Sequence, residues 1–480
     1  MTDILELDGT ALAKLIADGD VSAEEALDRA IQRAESLNPT LNAITIKAYD
    51  VAKKHIADGL PSGPFKGVPF LLKDLGAEAI DFPTTNGSEL YRGKVHTYDS
   101  ELYIRLRKTG IATFGRTASP EFGVGPVTEA AANGAPTRNP WNTDHTSGGS
   151  SGGAGAAVAA GIVPIAHGSD GGGSVRIPAS SCGLVGFKPT RARLPDGPMS
   201  GEGWAGMAID GFLTRSLRDT AALLDATAGP DLGAPYWAPP MSGTYAAAMN
   251  KQPKSLKIAY HTKTLSGDAI DPACVEAVER TAKVLEGMGH HVEPFNRTVD
   301  VQPMMQAWTT VVACGTALSV FAKSKDPTVY LKKLDGVTIG AVKLAAERSG
   351  SDYLEAIEVI HAFGREMARQ LADIDVLVTP TLGEPPAKVG RFKPTNEDFL
   401  EYRTGPSGVF AYSPFTAVFN ASGQPAVSLP LHWADGDLPV GVHLAASFGD
   451  DELLMGLAAD LEEAMPWADK QLSLIRKLAA

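Results

Sequence analysis

Strand-like and helix-like segments alternate along most of this chain, and this alternation constrains the fold more than any other feature. Apolar runs of strand length, such as Gly67–Asp74, Ile162–Gly168 and Ile374–Pro380, lie between segments with the period of helices. Such a pattern is typical of an α/β protein with helices on both faces of a sheet. Two strand-like runs joined at Asp435-Gly436 predict a hairpin. We therefore expect a mixed, mostly parallel central sheet.

The pattern predicts one large α/β/α layered domain over residues 1–480. Within it, residues 1–65 are expected to form an N-terminal helical region. Residues 66–230 are expected to form the catalytic core, with its glycine-rich segment at 148–190. Residues 301–372 are mainly helical by their apolar spacing. We expect this last region to cap an edge of the sheet.

The first long helix has a clear start signal and an apparent stop signal. Ser22 and Glu25 have the spacing of a capping box, in front of an apolar-periodic run. The pattern predicts a helix over residues 23–37, ended by Asn38-Pro39.

Composition and charge exclude several classes of protein. The chain has 480 residues, 44% of them hydrophobic and 21% charged, which is ordinary for a globular enzyme. Its formal net charge of −13 argues against nucleic acid or an anionic membrane as a main partner. Three widely spaced cysteines form neither a disulfide framework nor a zinc motif. With no signal-peptide pattern and no long uncharged apolar run, we expect a cytoplasmic protein.

A glycine–serine stretch, Thr146–Gly161, carries two adjacent serines and has several interpretations. A flexible linker is disfavoured because an alanine-rich, helix-forming run follows. A phosphate-binding loop lacks its Lys-Ser or Lys-Thr pair. The nucleophile elbow of an α/β-hydrolase fits the G-x-S-x-G pattern around Ser150, with Asp435 and His443 downstream. That elbow, however, needs a buried strand in front of it, and polar turn-forming sequence precedes Ser150.

A fourth interpretation joins Ser150 to a second serine, Ser174, which follows three glycines. Backbone N–H groups of consecutive glycines form a concavity suited to a developing oxyanion. A serine nucleophile needs a base. Lys73 ends a buried strand, where loss of solvent lowers a lysine pKa and makes the neutral amine available.

These segments resemble the amidase signature hydrolases. The family signature is similar to Gly148–Thr190 nearly position by position, its lysine strand to Gly67–Asp74, and its C-terminal marker to Phe419–Leu431. The resemblance is spread over essentially the whole chain. It implies the amidase signature fold and the hydrolysis of C–N bonds in amides.

The resemblance also implies a Ser–cis-Ser–Lys triad. By position, Ser174 is the nucleophile, Ser150 is the bridging serine after a cis peptide bond with Gly149, and Lys73 is the base. The reaction would be a two-step acyl transfer through an acyl-enzyme. Because the lysine must start neutral, the rate should rise from pH 6 toward mildly alkaline pH.

Further residues receive roles from the same resemblance. Ser151, Asp170 and Arg176 match positions that support the loops, and a purely structural ion pair is the plainer interpretation of the last two. The oxyanion hole would be formed by the N–H groups of Gly171, Gly172, Gly173 and Ser174. The family implies neither a metal nor another cofactor. Ser169 stands where the family often has threonine.

Within the family, the chain resembles hydrolases of the 6-aminohexanoate cyclic dimer, aryl acylamidases and urethanases. We expect a small apolar, aryl or cyclic amide as substrate, with carbamates and esters as open alternatives. Cys314, Trp204 and Val124 are candidate pocket residues. A plain core position is the alternative for Cys314, where it is the commoner role of a lone cysteine, and for Trp204.

Two other functions stay open at this point. The amidase-like subunit of a tRNA-dependent amidotransferase shares the signature but works within a heteromeric complex. An esterase with Ser150 as its nucleophile is the elbow alternative above. If the chain is an amide hydrolase, as the resemblance implies, we expect a monomer or homodimer with no nucleic-acid or membrane partner.

Overall fold

Eleven strands form one continuous sheet in the computed structural model, which describes residues 3–253 and 255–479. The strands are β1 (Ile44–Lys47), β2 (Pro69–Lys73), β3 (Ala112–Thr117), β4 (Ile165–Asp170), β5 (Val185–Lys188), β6 (Ile209–Thr214), β7 (Lys257–Tyr260), β8 (His291–Pro294), β9 (Val376–Pro380), β10 (Ala426–Ala434) and β11 (Leu438–Ala446). Their order across the sheet is β1-β3-β2-β4-β6-β5-β10-β11-β9-β7-β8.

The sheet is mixed, as predicted, but it is not mostly parallel. Among the described strands, four neighbouring pairs are parallel and six are antiparallel. The parallel pairs lie toward the two ends of the sheet, and the middle is antiparallel. The prediction failed because β6 returns beside β5 without a crossover helix, and a direct return can only give an antiparallel neighbour.

Eighteen α-helices of the described chain pack on this sheet and on one another. They are α1 (Gly9–Asp18), α2 (Ala23–Leu41), α3 (Tyr49–Asp58), α4 (Glu101–Lys108), α5 (Gly152–Ala159), α6 (Arg176–Cys182), α7 (Leu217–Thr227), α8 (Tyr245–Ala248), α9 (Pro272–Gly287), α10 (Gln302–Lys323), α11 (Pro327–Tyr330), α12 (Gly336–Ala346), α13 (Gly350–Gln370), α14 (Phe399–Thr404), α15 (Val409–Tyr412), α16 (Thr416–Ser422), α17 (Asp451–Ala464) and α18 (Ala468–Ala479). Short 3-10 segments occupy Ile4–Glu6, Glu89–Tyr91, Glu121–Gly123, Ala131–Asn133 and Asp435–Asp437.

Helix α2 begins where predicted but ends later. The Ser22 side chain accepts from the Glu25 N–H, as expected for an N-cap. The helix continues through Pro39 to Leu41 and ends at Asn42, which adopts the left-handed conformation. The predicted stop at Pro39 was wrong because a proline in the last turn costs one backbone hydrogen bond, which the rest of this helix tolerates.

Helices cover both faces of the sheet, so the predicted α/β/α layering is confirmed. Along β2, Phe70 and Leu72 belong to a core shared with α4, α7, α9 and α17, while Leu71 belongs to a core shared with α2, α5 and α6. Successive side chains of β2 therefore point into different cores, as expected for a strand that is buried on both faces of the sheet.

A third apolar core lies between α10, α12 and α13, in the region predicted to be helical. It also contains Phe122, Val124 and Ile177, which come from the glycine- and serine-rich part of the chain. Helix α10 has the length and composition of a membrane-crossing helix, but most of its apolar side chains are buried in this core. The helical region is thereby packed against the segments that carry the candidate catalytic residues.

Candidate active site

Lys73 lies at the carboxyl end of β2, beside the end of the parallel strand β4. Its side chain is fully buried. Burial lowers the pKa of the Lys73 ammonium to about 7, against the opposing charges of Asp210 and Asp170. A large part of the Lys73 side chains is therefore neutral near neutral pH.

The Lys73 amine contacts two serine hydroxyls. Nζ lies 2.6 Å from Ser150 Oγ and 2.9 Å from Ser169 Oγ, within hydrogen-bond distance of both. Ser150 precedes α5 and follows a cis peptide bond with Gly149, as the resemblance implied. The pairing of Lys73 with Ser150 is the geometry that a lysine base requires to accept a serine proton.

Ser174 lies in the loop between β4 and α6, beside the start of α5. The Ser151 N–H donates to the Ser174 carbonyl at 3.2 Å, which joins the two glycine–serine clusters as predicted. Ser174 is partly exposed, whereas Ser150 is buried. Among the described residues there is no hydrogen bond between the Ser150 and Ser174 hydroxyls. Partial exposure makes Ser174, unlike Ser150, accessible to solvent.

The three glycines before Ser174 differ in whether their N–H groups are already hydrogen-bonded within the protein. The Gly173 N–H donates to Asp170 Oδ1 at 2.7 Å, so the prediction that it belongs to the oxyanion hole is wrong. The N–H groups of Gly171, Gly172 and Ser174 have no acceptor within residues 3–253 and 255–479. These three donors are what the loop offers to a developing negative charge.

Side chains from distant segments fix the carbonyls of this glycine loop. Trp308 Nε1 donates to the Gly171 carbonyl at 3.2 Å, and Thr416 Oγ1 donates to the Gly172 carbonyl at 2.6 Å. Because a peptide group is planar, fixing a carbonyl also fixes the direction of the N–H of the next residue. The loop is thus preorganised by α10 and α16.

A buried ion pair supports the other side of the loop. Arg176 donates to both carboxylate oxygens of Asp170 at 2.9 Å, and Asn420 Nδ2 donates to Asp170 Oδ1 at 2.9 Å. Arg176 holds the pKa of the Asp170 carboxyl well below its usual range. Ser151 Oγ in turn accepts from the Ser169 N–H at 3.2 Å. The three predicted support residues therefore all contact the loops of the site.

Two tryptophans lie over the glycine loop. A Cβ added at Gly171 would lie 2.6 Å from the Trp204 ring, and one added at Gly172 would lie 2.9 Å from the Trp308 ring. The two rings meet edge to face, with centroids 5.7 Å apart. They form an aromatic wall beside the free N–H groups.

Cys314 lies next to this wall and is half-buried on α10. A Cβ on its neighbour Gly315 would lie 2.9 Å from Trp204 Cδ1. Burial raises the pKa of the Cys314 thiol, so it is an apolar rather than a nucleophilic group here.

Val124 belongs to the apolar core that contains α10, α12 and α13. It follows Gly123, where an added Cβ would lie 3.3 Å from Ser150 Oγ. Its own buried side chain lines a cavity of about 20 Å³ together with Val127 and Tyr402. A pocket role for Val124 stays a prediction.

The elbow alternative, with Ser150 as nucleophile of a Ser–His–Asp triad, is wrong. His443 Nε2 accepts from Arg176 at 3.0 Å, and Asp435 is exposed in the β10–β11 turn. Ser150 has Lys73, not histidine, as its partner. Chain order alone suggested this triad, and chain order carries no distance information.

The sequence did not predict three of the contacts in this site. Ser169 Oγ bonds to the Lys73 amine, Thr416 bonds to the Gly172 carbonyl, and Asn420 bonds to the Asp170 carboxylate. The sequence held one usable signal for Asn420, a lone amide in an apolar helical run inside the C-terminal marker segment. Within the described residues, no group of three His, Cys, Asp or Glu side chains is placed to hold a metal ion.

A buried lysine on a serine hydroxyl, next to a partly exposed serine and a loop of free N–H groups, is the arrangement of a serine hydrolase site. Residues 24–455 match the amidase family, and the chain belongs to it. The predicted family is thereby confirmed.

Individual relatives match over nearly their whole length. A 6-aminohexanoate-cyclic-dimer hydrolase of Paenarthrobacter ureafaciens is 35% identical over 98% of both chains. A solved 6-aminohexanoate cyclic dimer hydrolase complexed with substrate superimposes with a TM-score of 0.91, at 34% identity, covering 98% of this chain and 99% of that one. A bacterial aryl acylamidase structure has a TM-score of 0.86 at 26% identity, covering 98% of each chain.

Proposed function

We propose that this amidase cleaves small apolar, aryl or cyclic amides through an acyl-enzyme on Ser174. The observation that carries the proposal is the 2.6 Å contact between the buried Lys73 amine and Ser150 Oγ, beside the free N–H groups of the glycine loop. In this scheme Ser150 relays protons between Ser174 and Lys73.

The first half-reaction moves one proton along the serines. Neutral Lys73 accepts the Ser150 proton, Ser150 accepts the Ser174 proton, and Ser174 Oγ attacks the amide carbonyl. The N–H groups of Gly171, Gly172 and Ser174 stabilise the resulting oxyanion. The proton returns through Ser150 to the amine, the C–N bond breaks, and the acyl group stays on Ser174.

The second half-reaction reverses these roles with water. Water gives a proton to Ser150, and Ser150 passes its own proton to Lys73, as the water oxygen attacks the acyl-enzyme carbonyl. The proton then returns from Lys73 through Ser150 to Ser174 Oγ. Ser174 leaves as the hydroxyl, which releases the carboxylic acid and restores the starting state.

Ser169 makes Lys73 an oriented base. A neutral amine has two N–H groups and one lone pair. If one N–H donates to Ser169 Oγ, as at 2.9 Å here, the lone pair is free to face Ser150. The second serine contact therefore selects the direction in which Lys73 takes up a proton.

The aromatic wall of Trp204 and Trp308 supports an apolar or aryl substrate. The rings lie against the loop that would bind the oxyanion, so the acyl or amine portion of the substrate would pack on them. Relatives named for a cyclic amide dimer and for aryl acylamides favour the same class. Carbamates and esters share the carbonyl group and are included in the proposal as alternative substrates.

The test is hydrolysis by the purified chain, assayed with the 6-aminohexanoate cyclic dimer, a short acyl 4-nitroanilide, an aryl carbamate and glutamine. We expect turnover of the cyclic dimer or the anilide, and its loss in Ser174→Ala. A chain that only releases ammonia from glutamine, and only with added partner subunits, would instead be an amidotransferase subunit, like a Thermotoga maritima structure with a TM-score of 0.79. Turnover retained in Ser174→Ala would disprove the assigned nucleophile.

A further inference from the structure

His167 is a buried imidazole that contacts the backbone of the lysine base. The Lys73 N–H donates to His167 Nδ1 at 3.2 Å. On its other side, His167 Nε2 lies 3.0 Å from Asp210 Oδ1. The mechanism above uses neither residue.

The strand register brings these groups together. The β2–β4 ladder pairs Phe70 with Ile165 and Leu71 with Ala166. Beyond this ladder, the Lys73 N–H meets an imidazole nitrogen in place of a backbone carbonyl. On the other side of β4, Asp210 of β6 pairs directly with Ser169, the second hydroxyl on the lysine amine. His167 and Ser169 are two residues apart, so their side chains share one face of β4.

The hydrogen bonds fix the tautomer of His167. The backbone N–H of Lys73 is only a donor, so Nδ1 must be the acceptor and carries no proton. Nε2 then carries the proton and donates it to the Asp210 carboxylate. Asp210 thereby orients His167, and His167 orients Lys73.

We propose that His167 and Asp210 are positioning residues for Lys73: His167 holds the lysine backbone in place, and the Asp210 charge sets the pH at which the amine becomes a base. This inference rests on the proposed function, in which Lys73 is that base. Neither residue contacts the reacting atoms.

Several charged groups surround Lys73, and their partners show how Asp210 differs from the others. Asp170 lies at the end of β4, Asp74 is the next residue along the chain, and Arg116 of β3 donates to the Lys73 carbonyl at 2.6 Å. Asp170 is paired with Arg176 and Asp74 accepts from Thr85, whereas Asp210 bonds to an uncharged imidazole. Asp210 and Asp170 are the carboxylates whose charges favour the Lys73 ammonium, and of these two only Asp210 lacks a bonded cation.

The first experiment compares the pH dependence of kcat/KM in wild type and Asp210→Asn. The amide oxygen of Asn still accepts from His167, so the geometry is kept while the charge is removed. Without that charge the ammonium form of Lys73 is less stable. The rising acidic limb should therefore move to lower pH, by about one unit. Asp373→Asn, an exposed carboxylate paired with Arg297, is the matched control for net charge. A limb that moves equally in both variants, or in neither, overturns the role of Asp210.

The second experiment separates positioning from packing. In His167→Asn the side-chain oxygen can still accept the Lys73 N–H, whereas His167→Leu leaves that N–H without an acceptor. We expect the Leu variant to lose about tenfold in kcat at the high-pH plateau, and the Asn variant to recover most of it, with melting curves that confirm folding. Equal kcat values in the two variants would disprove the role of His167. If Lys73→Ala keeps wild-type turnover, the proposed function itself fails, and the inference with it.

Discussion

Lys73 Nζ lies 2.6 Å from Ser150 Oγ, and both side chains are buried. Burial penalises the charged amine more than the neutral hydroxyl, so the pKa of Lys73 falls to about 7. The contact is therefore one between a weak acid and a base that is ready to accept a proton near neutral pH.

The pH–rate profile follows from this pKa. Only neutral Lys73 accepts a proton, and the neutral fraction rises as pH passes about 7. We expect kcat/KM for amide hydrolysis to rise about tenfold per pH unit below pH 7 and to level off above it. Initial rates of anilide cleavage between pH 5 and pH 9 measure this. A profile that is flat across that range excludes Lys73 as the titrating base.

Removal of any one side chain of the proposed triad should abolish most of the activity. We expect Lys73→Ala, Ser150→Ala and Ser174→Ala each to lower kcat by about 10³-fold or more, because the three groups act as one unit. Lys188→Met is the matched control, since Lys188 is also buried with a pKa near 7 but donates to the Pro189 carbonyl instead of a serine. A comparable loss of kcat in Lys188→Met would mean that the loss in Lys73→Ala comes from removing a buried lysine, and not from removing the base.

The sequence indicates the members of the proposed triad because each has a strong local signal. Lys73 ends an uninterrupted apolar run, and Ser150 and Ser174 are embedded in glycines that no helix or strand interior favours. The family resemblance then supplied the roles, including the cis bond before Ser150 that no local rule predicts. Strands such as Val376–Pro380 were recognisable for the same reason, as short apolar runs between turns.

Long-range partners could not be predicted. Thr416 and Asn420 contact a loop that lies more than 200 residues earlier in the chain, and no periodicity links the two segments. The Gly173 N–H was assigned to the oxyanion because sequence does not show that Asp170 accepts from it. The prediction of mostly parallel strands was wrong for the same reason. Strand direction depends on which strands become neighbours, and the residue pattern does not show this.

The contact between Ser169 and Lys73 leads to a prediction about the orientation of the Lys73 amine. Ser169→Ala removes the acceptor that directs the Lys73 lone pair, and we expect kcat to fall about tenfold with little change in KM. Ser169→Thr keeps the hydroxyl and should retain activity near the wild-type level. Single-turnover acylation rates on a 4-nitroanilide measure this directly. Equal rates in the Ala and Thr variants would remove Ser169 from the lysine's function.

The glycine loop predicts a graded response to added methyl groups. Gly173 has a φ of +125°, and an added Cβ would collide with Thr416, so Gly173→Ala should both destabilise the protein and inactivate it. At Gly171 the obstacle is the Trp204 ring, which is only partly buried and can shift. We therefore expect Gly171→Ala to fold normally but to raise KM for aryl amides. Thermal melts and KM values compare the two variants, and a Gly171→Ala enzyme with unchanged KM would place the aryl group elsewhere.

The buried pair of Asp170 and Arg176 predicts a stability effect distinct from catalysis. Asp170→Asn leaves the Arg176 guanidinium buried without its counter-charge, and we expect the free energy of unfolding to fall by about 3–5 kcal/mol. The pKa of Asp170 is lower in the folded than in the unfolded protein, so its contribution is complete above the ordinary aspartate pKa and is lost as pH falls below it. Urea unfolding at pH 7 and at pH 2 measures both effects, because the contribution is lost only below the ordinary aspartate pKa. The exposed Lys14–Asp18 pair supplies the control, because Asp18→Asn should change the unfolding free energy far less. Similar losses in the two variants would mean that the Asp170 pair contributes no more than an exposed one.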